Sequence, residues 1–234
     1  DNRRTSATYS GWIDLFGWGT SGWDNGNLYY RPYDTEEAYT LAPNDGYGPT
    51  TGSAYYDPVY SLTGVYANAD WGVYNPISNG GNRAGLWRTL TYDEFRYIIS
   101  GRPGAASKCL PASVGGIPGL ILLPDQWNAP AGIDMTYNDY NPLQWSQLET
   151  AGAVFLPVSG GVGNNRENPC EMHDALYWTS TNVQHYAWDY NVGYLGMFAP
   201  GGGTCQQSKP EWYQVQCGYC GGIPGAVRLV QDAD

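Results

Sequence analysis

Apolar residues recur at helical spacing in two stretches of the chain, and each stretch carries its own start and stop signals. LTYDEFRYIISGRPG contains a capping-box pair, Thr91 and Glu94, and the helix that it predicts ends at Gly101. YNPLQWSQLETAG offers Asn141 as a capping residue, followed by a proline at the first helical position, and it ends at Gly152. The pattern therefore predicts two short helices.

The other apolar residues predict strands joined by long loops. Short apolar runs bounded by glycine and proline occupy residues 120–123, 154–158 and 226–230, as expected of buried strands. Over residues 17–82, turn-forming residues are interleaved with aromatic ones, which favours packed irregular loops over disorder. We therefore expect an α+β fold with few helices, short strands and long irregular loops.

Two further stretches alternate with the period of two that strands show. Over residues 187–192, the alternation places Asp189 and Asn191 on the face opposite the large apolar side chains. Over residues 212–217, Tyr213, Val215 and Cys217 share one face. The opposite face of that stretch carries Trp212, Gln214 and Gln216. An exposed tryptophan beside two glutamines is typical of a contact surface.

Composition and charge narrow the range of partners. The chain holds 21 Tyr and 10 Trp against 4 Phe, an excess of side chains with an apolar body and a polar tip. Its net charge of −11 would repel a nucleic-acid backbone, so we expect no nucleic-acid partner. No apolar run approaches the ~18–20 residues of a membrane span, so no span is expected within the chain. The start DNRR is not a secretory signal, and an export signal would lie upstream of it.

The five cysteines leave several readings open. A disulfide from Cys205 to either Cys217 or Cys220 would close a loop of ~12–15 residues and stabilise it by roughly 3 kcal/mol. The same three cysteines with His185 or His173 have the residue types of a zinc site, but one C-x-x-C pair is a weak signal. We therefore favour the disulfide and expect no metal.

Seven blocks of the chain together form a recognisable pattern. In order they are GWIDLFGWGTSGW (11–23), GVYANADWGVYNPISNGGN (64–82), WRTLTYDEFRYI (87–98), GLILLPDQW (119–127), GAVFLPV (152–158), YWTST (177–181) and GAVRLV (225–230). They closely resemble the Fibrobacter succinogenes major paralogous domain (FISUMP), a family of exported proteins frequent in gut bacteria.

The resemblance implies a C-type-lectin-like fold in a single domain over residues 1–234, with two short helices, a small antiparallel or mixed sheet and long irregular loops. It also implies export to the cell surface, often as an outer-membrane lipoprotein or a pilus-associated protein, with no established catalytic role. In such a domain Trp178 and Arg228, in the last two blocks, are expected to be structural.

Between YWTST and GAVRLV, family members usually have a short segment rich in Ser, Asn and Tyr. Residues 182–220 of this chain are longer there and contain an unusual mixture of His, Cys, Trp, Gln and Met. C-type-lectin-like chains with such an ending are similar to the variable proteins of diversity-generating retroelements, in which reverse transcription rewrites adenines. On that reading the stray cysteines are products of sampled codons. Phage-tail display is the alternative location.

Two chemical alternatives are weaker. Formylglycine-generating oxidases share the C-type-lectin-like fold and use paired cysteines near the C-terminus, but the residues around CGYC do not match the motifs of that family. Cys170 and His173 are close in sequence, which does not establish a catalytic pair. Calcium could occupy the oxygen-rich turn at Asp24, although a solvated turn is the favoured reading. We therefore expect neither an enzyme nor a resident cofactor.

The sequence thus predicts a non-enzymatic adhesin-type domain whose ligand-binding segment is 182–220. The expected ligand is a protein or glycan on another cell or particle, held by aromatic anchors among adaptable polar side chains. A structural pilus-tip or surface-lipoprotein scaffold without a variable site is the alternative. The expected ligand-contacting residues are His185, Asp189, Asn191, Tyr194, Trp212, Gln214, Gln216 and Tyr219.

Overall fold

The structure is a computed structural model, and it describes eight ranges of the chain: 61–64, 67, 70–74, 85–158, 174–186, 189–198, 212–219 and 225–232. Within the helices and strands, the backbone alone is described at residues 71, 74, 174, 182–186, 189–192, 198, 212, 214 and 216–219.

The described residues form a mixed α+β arrangement of short helices and small sheets, as the sequence predicts. The helices are α1 (Trp71–Tyr74), α2 (Tyr92–Arg96, continued by a π-helical turn at Tyr97–Gly101), α3 (Ala105–Lys108) and α4 (Pro142–Thr150). The strands are β1 (Arg88–Thr89), β2 (Cys109–Val114), β3 (Ile117–Leu122), β4 (Asp139–Tyr140), β5 (Val154–Pro157), β6 (Asp174–Tyr186), β7 (Asp189–Phe198), β8 (Trp212–Tyr219) and β9 (Leu229–Val230).

The two helices predicted from the sequence are confirmed as α2 and α4, while α1 and α3 are additional single turns. The strand predicted at 187–192 is confirmed over residues 189–192, which belong to β7, and β7 continues to Phe198. Residues 187 and 188 lie outside the described residues. The run 226–230 forms a single bridge at Ala226 and then the two-residue strand β9.

The chain divides into two compact units, and each unit is assembled from separate segments. Unit 1 comprises Asp1–Tyr92, Tyr177–Leu195 and Gln216–Asp234, and unit 2 comprises Asp93–Leu176 and Gly196–Val215. The single domain implied by the resemblance stays a prediction.

Unit 2 contains a four-stranded sheet of order β4-β2-β3-β5. Strands β2 and β3 form an antiparallel hairpin, with Cys109 opposite Leu122 and Val114 opposite Ile117. The hairpin turn is Gly115–Gly116, with φ of 58° and 83°, a left-handed pair that two glycines adopt without strain. Strand β4 runs parallel to β2, and β5 runs antiparallel to β3.

Helix α4 has strong local capping signals, and it packs against the core of unit 2. The Asn141 side chain accepts a hydrogen bond from the Gln144 amide, and the Gln144 side chain accepts one from the Asn141 amide, which is a complete capping box. The helix buries Leu148 fully. Around it lies a cluster formed by Ala112, Ile121, Leu123, Tyr140 and Ala153.

A buried arginine joins the elements that flank this sheet. Arg102 follows the π-helical turn, and its side chain is only 6% exposed. Its guanidinium donates to the carbonyl oxygens of Ile98 and Leu123, each at 2.7 Å, and contacts the Asp125 carboxylate at 3.2 Å. Burying a guanidinium is favourable only when its donors are paired in this way.

In unit 1 a buried carboxylate, that of Asp70, connects two elements through hydrogen bonds. Asp70 accepts hydrogen bonds from the Gly72 amide at 3.0 Å and from the amide and hydroxyl of Thr89, both at 2.9 Å. These bonds connect the start of α1 to β1, which pairs antiparallel with β9. Burial raises the pKa of Asp70, although its hydrogen bonds lower it part of the way back.

Candidate functional site

The candidate segment 182–220 is carried largely by one three-stranded sheet of order β6-β7-β8. His185 lies on β6, Asp189, Asn191 and Tyr194 lie on β7, and the remaining four candidates lie on β8. The structure therefore brings all eight sequence-predicted residues onto strands of a single sheet. For seven of the eight, the side chains lie outside what the structure describes, so the sequence-based assignment of ligand contacts stays a prediction there.

Tyr194 is the exception, and it is a core residue. Its side chain is 4% exposed, and its ring packs edge-on against Trp178 with the ring centroids 6.3 Å apart. A side chain this deeply buried has no surface to offer a ligand, so we withdraw Tyr194 from the ligand-contacting set. The sequence carried the signal, because Tyr194 continues the even-numbered apolar positions Tyr190 and Val192.

Trp178 and Thr179 hold this part of the sheet in place through burial and hydrogen bonds. Trp178 is 1% exposed, and its amide donates to the carbonyl oxygen of Ala226 at 2.9 Å. The Thr179 hydroxyl donates to the carbonyl oxygen of Gly193 at 2.8 Å. These contacts agree with the structural role expected of Trp178. Arg228 is exposed, and its structural role stays a prediction.

Strand β7 is covered on both faces over its second half. The five consecutive residues 193–197 are all buried, and Leu195 and Met197 have no exposed surface. Because successive side chains of a strand point to opposite faces, continuous burial means that both faces are covered. This half of β7 supports the sheet and is closed to a ligand.

Strand β8 is anchored along one face. Tyr213 and Val215 are half-buried, and the Tyr213 hydroxyl donates to the carbonyl oxygen of Cys109 at 2.8 Å. Burial raises the pKa of Tyr213, and the nearby Cys109 thiol adds to the rise. Tyr213 and Val215 share a face, as the alternation predicts. Sequence reasoning missed the anchor itself, because nothing near Tyr213 indicates its partner 104 residues away.

The phase of β8 separates its candidates into two groups. The alternation in the sequence predicts that Trp212, Gln214 and Gln216 lie on the face of the strand opposite Tyr213. Tyr219 is an odd-numbered position, so the same alternation predicts it on the face of Tyr213. The anchor thus divides a set that the sequence treats as one surface.

The cysteine readings fall largely beyond the described ranges. Cys170, Cys205 and Cys220 lie outside them, as do Asp24 and His173, and Cys217 is described by its backbone only. Within the described part of the chain, Cys109 is a free thiol, and burial raises its pKa despite its contact with Arg102. The disulfide, zinc and Asp24 calcium readings all stay predictions.

The described residues contain no group of three or more His, Cys, Asp and Glu side chains placed to hold a metal ion. Within the same ranges, no helix is both long and apolar enough to cross a membrane.

Comparisons of the chain with protein-family models, curated proteins and solved structures found no significant match. The structure shows that β8 is held through Tyr213 and Val215 on one face. The sequence alternation predicts a tryptophan and two glutamines on the other face.

Proposed function

We propose that this chain is a non-enzymatic ligand-binding domain of an exported protein, and that residues 182–220 form its binding segment. The observation that carries the proposal is the anchoring of β8 through the bond from the Tyr213 hydroxyl to the Cys109 carbonyl oxygen. A strand held by one face presents its other face in a set conformation. On β8 the sequence alternation predicts Trp212, Gln214 and Gln216 on that other face.

The residue types on that face suit recognition better than catalysis. Tryptophan offers a large apolar surface with one hydrogen-bond donor, and glutamine both donates and accepts, so the set fits partners of varied chemistry. A preorganised strand also loses less conformational entropy on binding than a free loop does. The ligand in this proposal is a protein or glycan on another cell or particle.

The FISUMP resemblance supports the remaining parts of the proposal. It suggests a C-type-lectin-like fold and display at the outer membrane or on a pilus, with retroelement diversification of residues 182–220. The α+β character of the described residues and the small sheets are compatible with that fold.

Binding assays with matched variants test the ligand face. The fluorescently labelled chain is applied to a glycan array and to fixed cells of gut bacteria, and the variant W212A/Q214A/Q216A is compared with Y213F. We expect the triple variant to bind at least ~10-fold more weakly while its free energy of unfolding changes by no more than about 0.5 kcal/mol.

The variant Y213F removes the anchoring hydrogen bond and is expected to lose about 0.5–1.5 kcal/mol of stability. It is expected to bind more weakly than the unmodified chain but more tightly than the triple variant, because the face loses preorganisation while its side chains remain. Unchanged binding by the triple variant, or no binding by the unmodified chain to any glycan or cell, would contradict the proposal. A large loss of stability in the triple variant would instead place its side chains in the core.

Diversification has its own test. The 3′ end of the gene is sequenced from many cells of one population. Substitutions crowded into codons 182–220 at adenines of a template copy would support a variable surface. A uniform segment would contradict diversification and leave ligand binding to the assays above.

A further inference from the structure

The first residue of strand β2 carries the carbonyl oxygen that anchors β8. The Tyr213 hydroxyl donates to the Cys109 carbonyl oxygen at 2.8 Å, and Cys109 is 1% exposed. A hydroxyl rotates to suit its acceptor, but a backbone carbonyl stays where its strand holds it. The position of the anchored part of β8 therefore depends on what fixes Cys109.

The edge of β2 explains why the Cys109 carbonyl oxygen is open to a side chain. The Leu123 amide donates to the Lys108 carbonyl oxygen at 2.8 Å, so these two residues bond across the hairpin of β2 and β3. In an antiparallel ladder the backbone groups of the next residue, Cys109, then point away from β3. Strand β4 lies on that side, but it pairs with the other end of β2, next to the hairpin turn. The Cys109 carbonyl oxygen thus lies beyond the end of β4, where Tyr213 bonds it.

The Arg102 guanidinium closes the open end of the same hairpin. It donates to the Leu123 carbonyl oxygen at 2.7 Å and to the Lys108 carbonyl oxygen at 3.4 Å. It also contacts the Cys109 Sγ atom at 3.8 Å. One planar group therefore contacts both sides of the hairpin at the end opposite its turn, and its side chain is only 6% exposed.

The Cys109 side chain is held by the same arginine through a shared acceptor. The thiol donates to the carbonyl oxygen of Ile98 at 3.5 Å, and Arg102 Nε donates to that oxygen at 2.7 Å. Ile98 belongs to the π-helical turn at Tyr97–Gly101. The helix ending and the start of β2 are therefore joined at one oxygen, and Arg102 contacts both.

These contacts form a continuous path inside unit 2, which includes Tyr213. The path runs from the Arg102 guanidinium through Cys109 to the Tyr213 hydroxyl, and so to the first half of β8. Arginine suits its start because a guanidinium presents five donors in a rigid plane. The single ammonium of a lysine cannot replace that plane at carbonyl oxygens from three separate segments.

We propose that Arg102 is the positioning residue of strand β8: by closing the hairpin it fixes the Cys109 carbonyl oxygen, and that oxygen holds Tyr213. Arg102 acts through Cys109 and touches no ligand, as a supporting residue behind a binding surface does. The consequence for ligand binding rests on the proposed function, in which β8 carries the ligand face. The positioning of the strand does not depend on that function.

Amide hydrogen exchange followed by mass spectrometry tests the positioning without any ligand. Arg102→Lys keeps the charge but offers one ammonium to three carbonyl oxygens, so the Cys109 carbonyl should lose its fixed place. We expect exchange at residues 212–215 to rise at least ~10-fold in Arg102→Lys and by a similar factor in Tyr213→Phe. The double variant should exchange no faster than Tyr213→Phe, because both substitutions release the same bond.

Asn141→Ala is the matched control, because it weakens the cap of α4 and lies outside these contacts. It should speed exchange at residues 142–150 and leave residues 212–215 unchanged, whereas Arg102→Lys should do the reverse. Equal effects of Arg102→Lys and Asn141→Ala on residues 212–215 would overturn the proposal. So would effects of Arg102→Lys and Tyr213→Phe that multiply in the double variant, since the two side chains would then act independently.

A second substitution covers the case in which Arg102→Lys does not fold. The same comparison is then made with Arg102→Gln, whose amide keeps two donors without a buried charge. Faster exchange confined to residues 212–215 is again the expected result, and faster exchange at residues 142–150 to the same degree would overturn the proposal.

Ligand binding separates this proposal from the proposed function. On the glycan array and the fixed cells, Arg102→Lys should bind as weakly as Tyr213→Phe, because the face is loosened while its side chains remain. Faster exchange at residues 212–215 with unchanged binding would contradict the ligand face on β8 and would support the positioning of the strand. Weaker binding with unchanged exchange there would overturn the positioning by Arg102.

Discussion

At the scale of single residues, buried hydrogen-bonding groups hold unit 2 together. The Arg102 guanidinium satisfies carbonyl oxygens in the π-helical turn and after β3, and it bonds the carboxylate of Asp125 outside the core. The Asp125 side chain is 53% exposed, so the ion pair itself adds little stability. We therefore expect the stabilising effect of Arg102 to come mainly from its bonds to the carbonyl oxygens of Ile98 and Leu123.

Replacing Arg102 by Met tests that view. The substitution keeps the apolar stem but leaves the carbonyl oxygens of Ile98 and Leu123 without the guanidinium, so we expect a loss of about 2–5 kcal/mol in the free energy of unfolding. Arg96→Met is the control, because Arg96 is exposed, and it should change stability by no more than about 0.5 kcal/mol. Urea unfolding measures both, and equal effects would refute the argument.

Gly119 shows how closely two strands approach. A Cβ atom at this position would collide with the backbone carbonyl oxygen of Leu156 and lie 2.5 Å from the Phe155 ring. Gly119→Ala is therefore expected to lower the free energy of unfolding by about 1–3 kcal/mol. At Gly101 a Cβ would meet nothing nearer than 3.5 Å, so Gly101→Ala should be tolerated. A Gly119→Ala chain as stable as Gly101→Ala would contradict the close packing of β3 on β5.

At the scale of elements, α4 depends on its reciprocal cap. Asn141→Ala removes the acceptor for the Gln144 amide and should lower the free energy of unfolding by about 1 kcal/mol. Asn141→Ser should restore most of the loss, because serine is also a good capping residue. Gln147→Ala, at an exposed position within the helix, is the control. Chemical denaturation would count against the capping role if the Ala and Ser variants proved equally stable.

The first predicted helix shows the limits of element-scale signals. Its start and its end at Gly101 agree with the sequence, but the π-helical turn at Tyr97–Gly101 does not follow from the apolar spacing. The wider turn is followed directly by Arg102, whose bonds reach residues far along the chain. Local propensity encodes the helix, whereas distant partners select this widened ending.

At the scale of the whole molecule, acid acts on the two units in opposite senses. In unit 1, burial raises the pKa of Asp70 above its ordinary value of 3.8, so the folded chain holds that proton more tightly than the unfolded chain does. Its contribution to stability is complete below pH 3.8 and is lost as the pH rises through the raised pKa. In unit 2, bonds from Thr136 lower the pKa of Asp134, whose contribution is present above 3.8 and is lost as the pH falls.

Comparing Asp70→Asn and Asp134→Asn with the unmodified chain separates the two effects. In urea unfolding across pH 3 to 7, the stability advantage of the unmodified chain over Asp70→Asn should shrink as the pH rises. Its advantage over Asp134→Asn should grow. If both stability differences change with pH in the same direction, the hydrogen bonds to Asp70 outweigh the effect of its burial on its pKa.

Locally encoded features were predictable from the sequence. The cap of α4, the glycines that end the helices and the shared face of Tyr213 and Val215 all depend on residues within a few positions of one another. The α+β character follows from the same local patterns. Within the candidate site, the sequence selected the strands, but it placed Tyr194 on the surface when it is buried.

The sequence by itself determined the helix positions, the phase of β8 and the residue types of the candidate face, because periodicity and capping act over one or two turns of chain. Only the tertiary structure decided that Tyr194 packs on Trp178 and that Tyr213 bonds the Cys109 carbonyl oxygen. Burial and long-range hydrogen bonds depend on which segments, far apart in the sequence, pack against each other. Local sequence patterns do not specify that packing.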